Sequence, residues 1–125
     1  MIESALEWAD YDNDGNIDFI VTGTTNQYPN NDLHSKIYRN NGDNTFIEQI
    51  DIQIDGVYRG SIDWGDYDND GFLDILLTGI SYNGSITKIF HNNEGNGLSE
   101  LENTNLPGVS SSSAKWADYN NDGNL

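Results

Sequence analysis

The chain has 125 residues, no cysteine and a formal net charge of −16. Its five Lys and Arg residues cannot neutralise a run of phosphates, which excludes nucleic acid as the main partner. The absence of cysteine excludes disulfides and zinc–thiolate sites, and no stretch approaches the roughly 20 apolar residues of a membrane-spanning helix. No signal peptide is visible. Ten of the 21 acidic residues lie in three short segments, so the acidity is concentrated locally.

Three copies of one pattern organise the chain. WADYDNDGNID begins at Trp8, WGDYDNDGFLD at Trp64 and WADYNNDGNL at Trp116. The spacings are 56 and 52 residues, and the four extra residues fall between Gly23 and Lys36, in a polar segment expected to be a loop. These copies divide the chain into a first repeat (1–56), a second repeat (57–106) and the start of a third (107–125). We expect the chain to be a piece of a longer array.

Each repeat is predicted to contain four short β-strands. In the first strand apolar residues alternate up to the tryptophan, and the second is a nearly continuous apolar run, typical of a strand buried on both faces. Asn- and Gly-rich turns join the third strand to the fourth as a hairpin. The predicted strands are 4–8, 17–22, 35–40 and 45–50, then 60–64, 73–78, 86–92 and 97–102, then 112–116.

The strand pattern predicts an all-β fold of four-stranded antiparallel β-propeller blades, two full blades and the start of a third. No amphipathic helix interrupts it. Two blades leave broad apolar faces uncovered, because such units bury little by themselves. We therefore expect self-association, or the remaining blades of a longer chain, to close a ring of roughly 4–8 blades.

The acidic loop of the second repeat has the oxygen donors that Ca²⁺ prefers. Its carboxylates are Asp66, Asp68, Asp70 and Asp74, at loop positions 1, 3, 5 and 9, and the carbonyl of Phe72 at position 7 can add another oxygen. Carboxylates this close repel one another, and a bound cation removes that cost. The glycine at position 6 permits a sharp turn. The first repeat has the same loop, so the sequence predicts two calcium sites.

Two details limit this interpretation. An EF-hand is excluded, because position 12 is Val21 or Leu77 instead of glutamate and because the flanking segments are strand-like. The third loop has Asn120 at position 3 and lacks position 9, so we expect at most a weak site there.

No catalytic residue is predicted. His34 and His91 have no partner at metal-ligand spacing, and the serine run 110–113 lacks the sequence context of a nucleophile. The aspartates recur in every repeat, which favours structure over acid–base chemistry. The three tryptophans are expected to pack between blades rather than to stack on sugars, and the tyrosines at loop position 2 to pack or to lie at the surface.

These motifs resemble the FG-GAP/VCBS repeat family, which includes the calcium-binding propeller repeats of integrin α-subunit heads. The resemblance rests on WADYDNDGNIDFIVTG, WGDYDNDGFLDILLTG and the Asn-Asn-Gly-Asp-Asn hairpin. The Phe-Gly and Gly-Ala-Pro signatures are absent, which places the chain nearer the bacterial VCBS repeats. The resemblance implies a propeller with a calcium loop between the first and second strands of each blade. The implied metal-binding residues are Asp10, Asp12, Asp14, Asn16 (carbonyl) and Asp18, then Asp66, Asp68, Asp70, Phe72 (carbonyl) and Asp74, with Asp118, Asn120, Asp122 and Asn124 in the third loop.

The function expected from this resemblance is that of a non-catalytic, calcium-binding propeller module of an extracellular or cell-surface protein, serving adhesion or ligand binding. Two alternatives stay open. One is an accessory propeller of a secreted polysaccharide-degrading enzyme, and the other is a propeller lectin. Polysaccharide cleavage would favour the first and a glycan-array signal the second. The sequence does not name a ligand.

Overall fold

The computed structural model describes residues 1–26 and 32–125, so part of the insertion between Gly23 and Lys36 lies outside the described residues. All regular elements in the described residues are strands. These residues contain no helix that is long and apolar enough to cross a membrane. The strands are β1 (Ile2–Ala9), β2 (Asp18–Thr24), β3 (Leu33–Asn40), β4 (Phe46–Glu48), β5 (Tyr58–Gly65), β6 (Asp74–Ser81), β7 (Gly84–Asn92) and β8 (Leu98–Glu100).

The strands form two four-stranded antiparallel sheets, in the orders β1-β2-β3-β4 and β5-β6-β7-β8. The two sheets use the same register, because Trp8 pairs with Phe19 in the first and Trp64 with Ile75 in the second. The predicted all-β fold class, with four antiparallel strands to a blade, is confirmed. The fourth strands are shorter than predicted, at three residues each.

The core lies between the two sheets. Successive residues of a strand point to opposite faces, and we call the face that carries the tryptophan of β1 or β5 the front face and the other the back face. Ile62, Leu77 and Phe90, on the front face of the second sheet, are buried with Ile20 and Ile37, on the back face of the first. The sheets therefore stack front to back, as consecutive blades do.

The front face of the first sheet lies at the surface. Trp8, Phe19, Tyr38 and Phe46 form an aromatic cluster there, with ring centroids of Phe19 at 5.0, 4.9 and 5.3 Å from those of the other three. Trp8 is still 55% exposed and Phe46 is 42% exposed. Trp8 is therefore not packed between blades within this chain, because no sheet among the described residues covers it, and its packing against a further blade stays a prediction.

The strand predicted at 112–116 is not formed, although this segment does lie along the back face of the second sheet. The backbone N–H of Trp116 donates to Asp63 Oδ2 at 2.7 Å, and that of Ala114 to Ser61 Oγ at 3.2 Å. In the first two repeats the first strand pairs with the strand that follows the loop, and no described strand follows the third loop. Side chains of β5 supply the hydrogen bonds instead.

Candidate metal-binding loops

Each acidic loop closes on the carboxylate at its first position. Asp10 accepts hydrogen bonds from the N–H groups of Asp14 and Gly15, both at 3.0 Å. Asp66 and Asp118 accept the equivalent pairs at 2.7 to 3.1 Å. The glycine at position 6 has a φ of 89–92° in all three loops, a left-handed conformation that costs glycine little. The repeated sequence therefore builds the same turn three times.

The carboxylates at position 9 are the innermost groups of the first two loops. Asp18 and Asp74 are both 0% exposed. Asp18 accepts hydrogen bonds from the N–H groups of Asn40 at 2.8 Å and Tyr11 at 3.2 Å. Asp74 accepts them from the equivalent residues, Asn92 at 2.8 Å and Tyr67 at 3.1 Å. Burial raises the pKa of both carboxyl groups above the ordinary value, although these hydrogen bonds oppose the shift. A positive charge beside them would favour the ionised form.

The chain folds positions 1, 3 and 9 together in both loops. The carboxylate oxygens of each set lie within 4.8 Å of one another, the sets being Asp10, Asp12 and Asp18, and Asp66, Asp68 and Asp74. The carboxylates at position 5 lie beside these triads. Asp14 is bound by Arg39, whereas Asp70 groups with Asp68 and His91.

Position 7 and the third loop have the expected backbone but fewer converging oxygens. The N–H groups of Asn16 and Phe72 donate to the carboxylates at position 5 at 2.8 Å, which fixes position 7 in the turn. Ligation by their carbonyls stays a prediction. In the third loop the candidate groups hydrogen-bond to one another, and these groups are Asp118, Asn120, Asp122 and Asn124.

The donor set of the first two loops fits Ca²⁺. It consists of hard carboxylate oxygens, one of them fully buried, on a turn that leaves the other carboxylates partly open to solvent. Calcium takes 6–8 oxygens in flexible geometry, so waters and a carbonyl can complete the sphere. In the first loop Asp10, Asp12 and Asp18 would hold the ion, and in the second Asp66, Asp68 and Asp74.

Two residues that the sequence interpretation missed reach over these loops from matched positions on β3 and β7. Arg39 Nε lies 2.8 Å from Asp12 Oδ2, and its Nη2 lies 2.9 Å from Asp14 Oδ2. His91 Nδ1 lies 3.2 Å from Asp68 Oδ2 and 3.4 Å from Asp74 Oδ1. The sequence offers His91 no partner at metal-ligand spacing, and the fold brings it beside the second loop instead.

The register of the sheet is the feature that could have identified Arg39 and His91 as neighbours of the loops. Arg39 and His91 each precede the asparagine whose N–H binds the carboxylate at position 9. Arg39 and His91 are 52 residues apart and occupy equivalent positions of the two repeats, but the sequence alone does not place either of them beside a loop. The other histidine lies elsewhere, with His34 Nε2 3.3 Å from Asp32 Oδ2.

The tyrosine at loop position 2 links one repeat to the next. Tyr11 stacks on Trp64 with ring centroids 6.4 Å apart, and Tyr67 stacks on Trp116 at 5.8 Å. Burial raises the pKa of Tyr11 to about 12. Tyr119, the equivalent residue of the third loop, is 94% exposed. Tyr11 and Tyr67 are therefore packed and Tyr119 lies at the surface, which are the two kinds of position predicted for these tyrosines.

The loops also contact one another along one edge. Asn13 Nδ2 of the first loop donates to the carbonyl of Gly71 in the second at 3.0 Å. Asn69 Nδ2 of the second donates to Asn124 Oδ1 in the third at 2.9 Å. The three loops therefore form a continuous acidic edge.

Front-to-back stacked sheets of four antiparallel strands, each with a loop between its first two strands, define a repeat protein of the propeller-blade class. A family model described as "FG-GAP-like repeat" matches residues 6–77, and the chain belongs to that family. No curated protein and no solved structure matches the chain significantly. FG-GAP repeats are generally non-catalytic structural modules, and they typically occur in extracellular or surface proteins.

Proposed function

We propose that this chain is a calcium-binding propeller module in which the first and second loops each hold one Ca²⁺ ion. The observation that carries the proposal is the burial of Asp18 and Asp74 at 0% exposure, each within a triad of carboxylates. Buried like charges destabilise a fold unless a cation accompanies them. One Ca²⁺ ion in each of the two loops would supply that cation.

We place the module outside the cell, in adhesion or ligand binding, with no catalytic role of its own. Extracellular calcium modules work with Kd values of about 10⁻⁴–10⁻³ M, which suits loops as open as these. The support is the family membership and the continuous acidic edge formed by the three loops. A ligand bound at that edge would contact several loops at once.

Calorimetric titration of the chelator-treated protein tests the calcium proposal. We expect two Ca²⁺ ions per chain, and each site at 100 times its Kd adds about 2.7 kcal/mol to the free energy of unfolding. Chelation should therefore lower the Tm. Asp68→Ala should reduce the stoichiometry from two to one, because it removes a carboxylate of the second triad alone. Absence of binding heat, with a Tm indifferent to chelator, would refute the proposal.

We also propose that a second copy of the chain covers the exposed front face of the first sheet. The support is that a loop tyrosine stacks on the tryptophan of the following repeat at two places inside the chain, and Trp8 would accept the same kind of contact. Tyr119 is the exposed loop tyrosine available to make it. Such a head-to-tail contact is heterologous and produces rings or open chains.

Sedimentation equilibrium at rising protein concentration tests this association. Wild type should associate, whereas Trp8→Ala and Tyr119→Ala should each weaken the association. Ile50→Ala is the control, because Ile50 is 73% exposed but lies outside the strands of the first sheet. A wild-type protein that stays monomeric, or variants that associate as wild type does, would refute the contact.

A further inference from the structure

We propose that the second loop, unlike the first, binds a divalent transition-metal ion in competition with Ca²⁺, through His91 Nδ1 together with its carboxylates. The inference rests on the proposed function, in that it assumes the loop holds a cation. It goes further by assigning different ion preferences to the two loops, and the residue that decides the preference lies on β7, outside the loop.

The geometry directs one imidazole nitrogen at the carboxylates. A ring nitrogen of His91 and carboxylate oxygens of Asp68 and Asp70 lie within 4.8 Å of one another. Nδ1 itself lies 3.2 Å from Asp68 Oδ2 and 3.4 Å from Asp74 Oδ1. Nδ1 is buried and makes no hydrogen bond, although the side chain as a whole is 30% exposed. A metal ion between the nitrogen and the oxygens would give Nδ1 a bonding partner and would neutralise the carboxylates.

Neighbouring groups hold the ring in this orientation. Its plane stands nearly perpendicular to that of Tyr67, at 85° and 6.4 Å between centroids. The next residue, Asn92, is fully buried, and its N–H binds Asp74 at 2.8 Å. His91 is therefore positioned by the same strand that positions the carboxylate at position 9.

The chemistry of the donors separates the two loops. Imidazole is a good ligand for Co²⁺, Ni²⁺, Cu²⁺ and Zn²⁺, whereas Ca²⁺ prefers oxygen alone. Arg39 occupies the matched position at the first loop, and a guanidinium carries only donors, so it cannot ligate a metal. It pairs with Asp12 and Asp14 instead. The competing explanation is that His91 is likewise only a counter-ion for its loop.

Titration of the tag-free, chelator-treated protein with Co²⁺ and, separately, with Ca²⁺ distinguishes these explanations. Co²⁺ reports nitrogen ligation through its visible absorption, and calorimetry supplies both affinities. His91→Gln removes the imidazole without adding charge. His34→Gln is the matched control, because His34 lies beside Asp32, which belongs to neither triad.

We expect His91→Gln to lower the Co²⁺ affinity by at least about tenfold, the smaller of the losses that follow removal of even an outer-sphere partner. The Ca²⁺ stoichiometry should stay at two, which also shows that the variant is folded, and His34→Gln should behave as wild type. Equal Co²⁺ affinity in wild type and His91→Gln, or equal losses of Co²⁺ and Ca²⁺ affinity, would overturn the inference while the calcium proposal stands. Failure of Ca²⁺ to bind either loop would overturn the calcium proposal, and failure of both Ca²⁺ and Co²⁺ to bind would overturn the two together.

Discussion

The two repeats place similar residues at matched positions in very different surroundings. Leu6 and Ile62 occupy the same position of β1 and β5, yet Leu6 is 45% exposed and Ile62 is 1% exposed. Trp8 lies at the surface, whereas Trp64 is half-buried under Tyr11 of the preceding loop. The strand pairing is the same in both sheets, so the difference comes from the neighbouring repeat. One repeat completes the core of the next, and the tyrosine of each acidic loop is part of that contact.

The loops differ in a second way, through the residue that reaches over them. Arg39 brings a fixed positive charge to two carboxylates of the first loop, and it lowers the pKa of Asp14 mainly through their hydrogen bond. His91 brings a nitrogen that can act as a ligand to the second. Two loops of nearly the same sequence therefore offer a cation unequal sites.

Truncation of the matched apolar residues should give the largest contrast. Ile62→Ala removes a buried side chain from the core between the sheets and should cost about 2–5 kcal/mol of unfolding free energy. Leu6→Ala should cost well under half as much in the monomer, because about half of Leu6 stays in contact with water. Urea denaturation of both variants at low protein concentration measures the two costs. Equal costs would mean that the first sheet is covered in solution.

The sequence predicted the strands and the loop carboxylates because both are encoded locally. Alternation up to Trp8 or Trp64 defines the first strand, and the carboxylates at positions 1 to 9 lie on one turn. It could not separate Trp8 from Trp64, since their flanking sequences are alike and only stacking distinguishes them. Arg39 and His91 were missed because they reach the loops across a sheet. The prediction of a strand at 112–116 was wrong because the local pattern is present but no described strand pairs with it.

The aromatic contact between repeats should contribute a smaller, separable amount. Tyr11 and Trp64 stack at 6.4 Å between centroids, and such pairs are worth about 0.5–1.5 kcal/mol beyond the area they bury. A double-mutant cycle with Tyr11→Leu and Trp64→Leu should return a coupling energy in that range. The same cycle on Tyr119 and Trp8 should return none in the monomer, because the two rings do not pair within the chain. Additive losses at Tyr11 and Trp64 would show that the stack carries no energy of its own.

The smallest effect we expect is at Arg39, where it sharpens the comparison of the loops. Its guanidinium, 44% exposed, pairs with Asp12 and Asp14, and a cation entering the first loop must share or displace it. Exposed pairs of this kind are worth about 0.2–1 kcal/mol, so Arg39→Gln should raise the Ca²⁺ affinity of the first loop by no more than about fivefold. The measurement uses the Asp68→Ala background, in which only the first loop binds. The gain should shrink as salt is added, because salt screens exposed charges. An affinity that falls on removal of Arg39 would instead mean that the guanidinium holds the carboxylates in place for the ion.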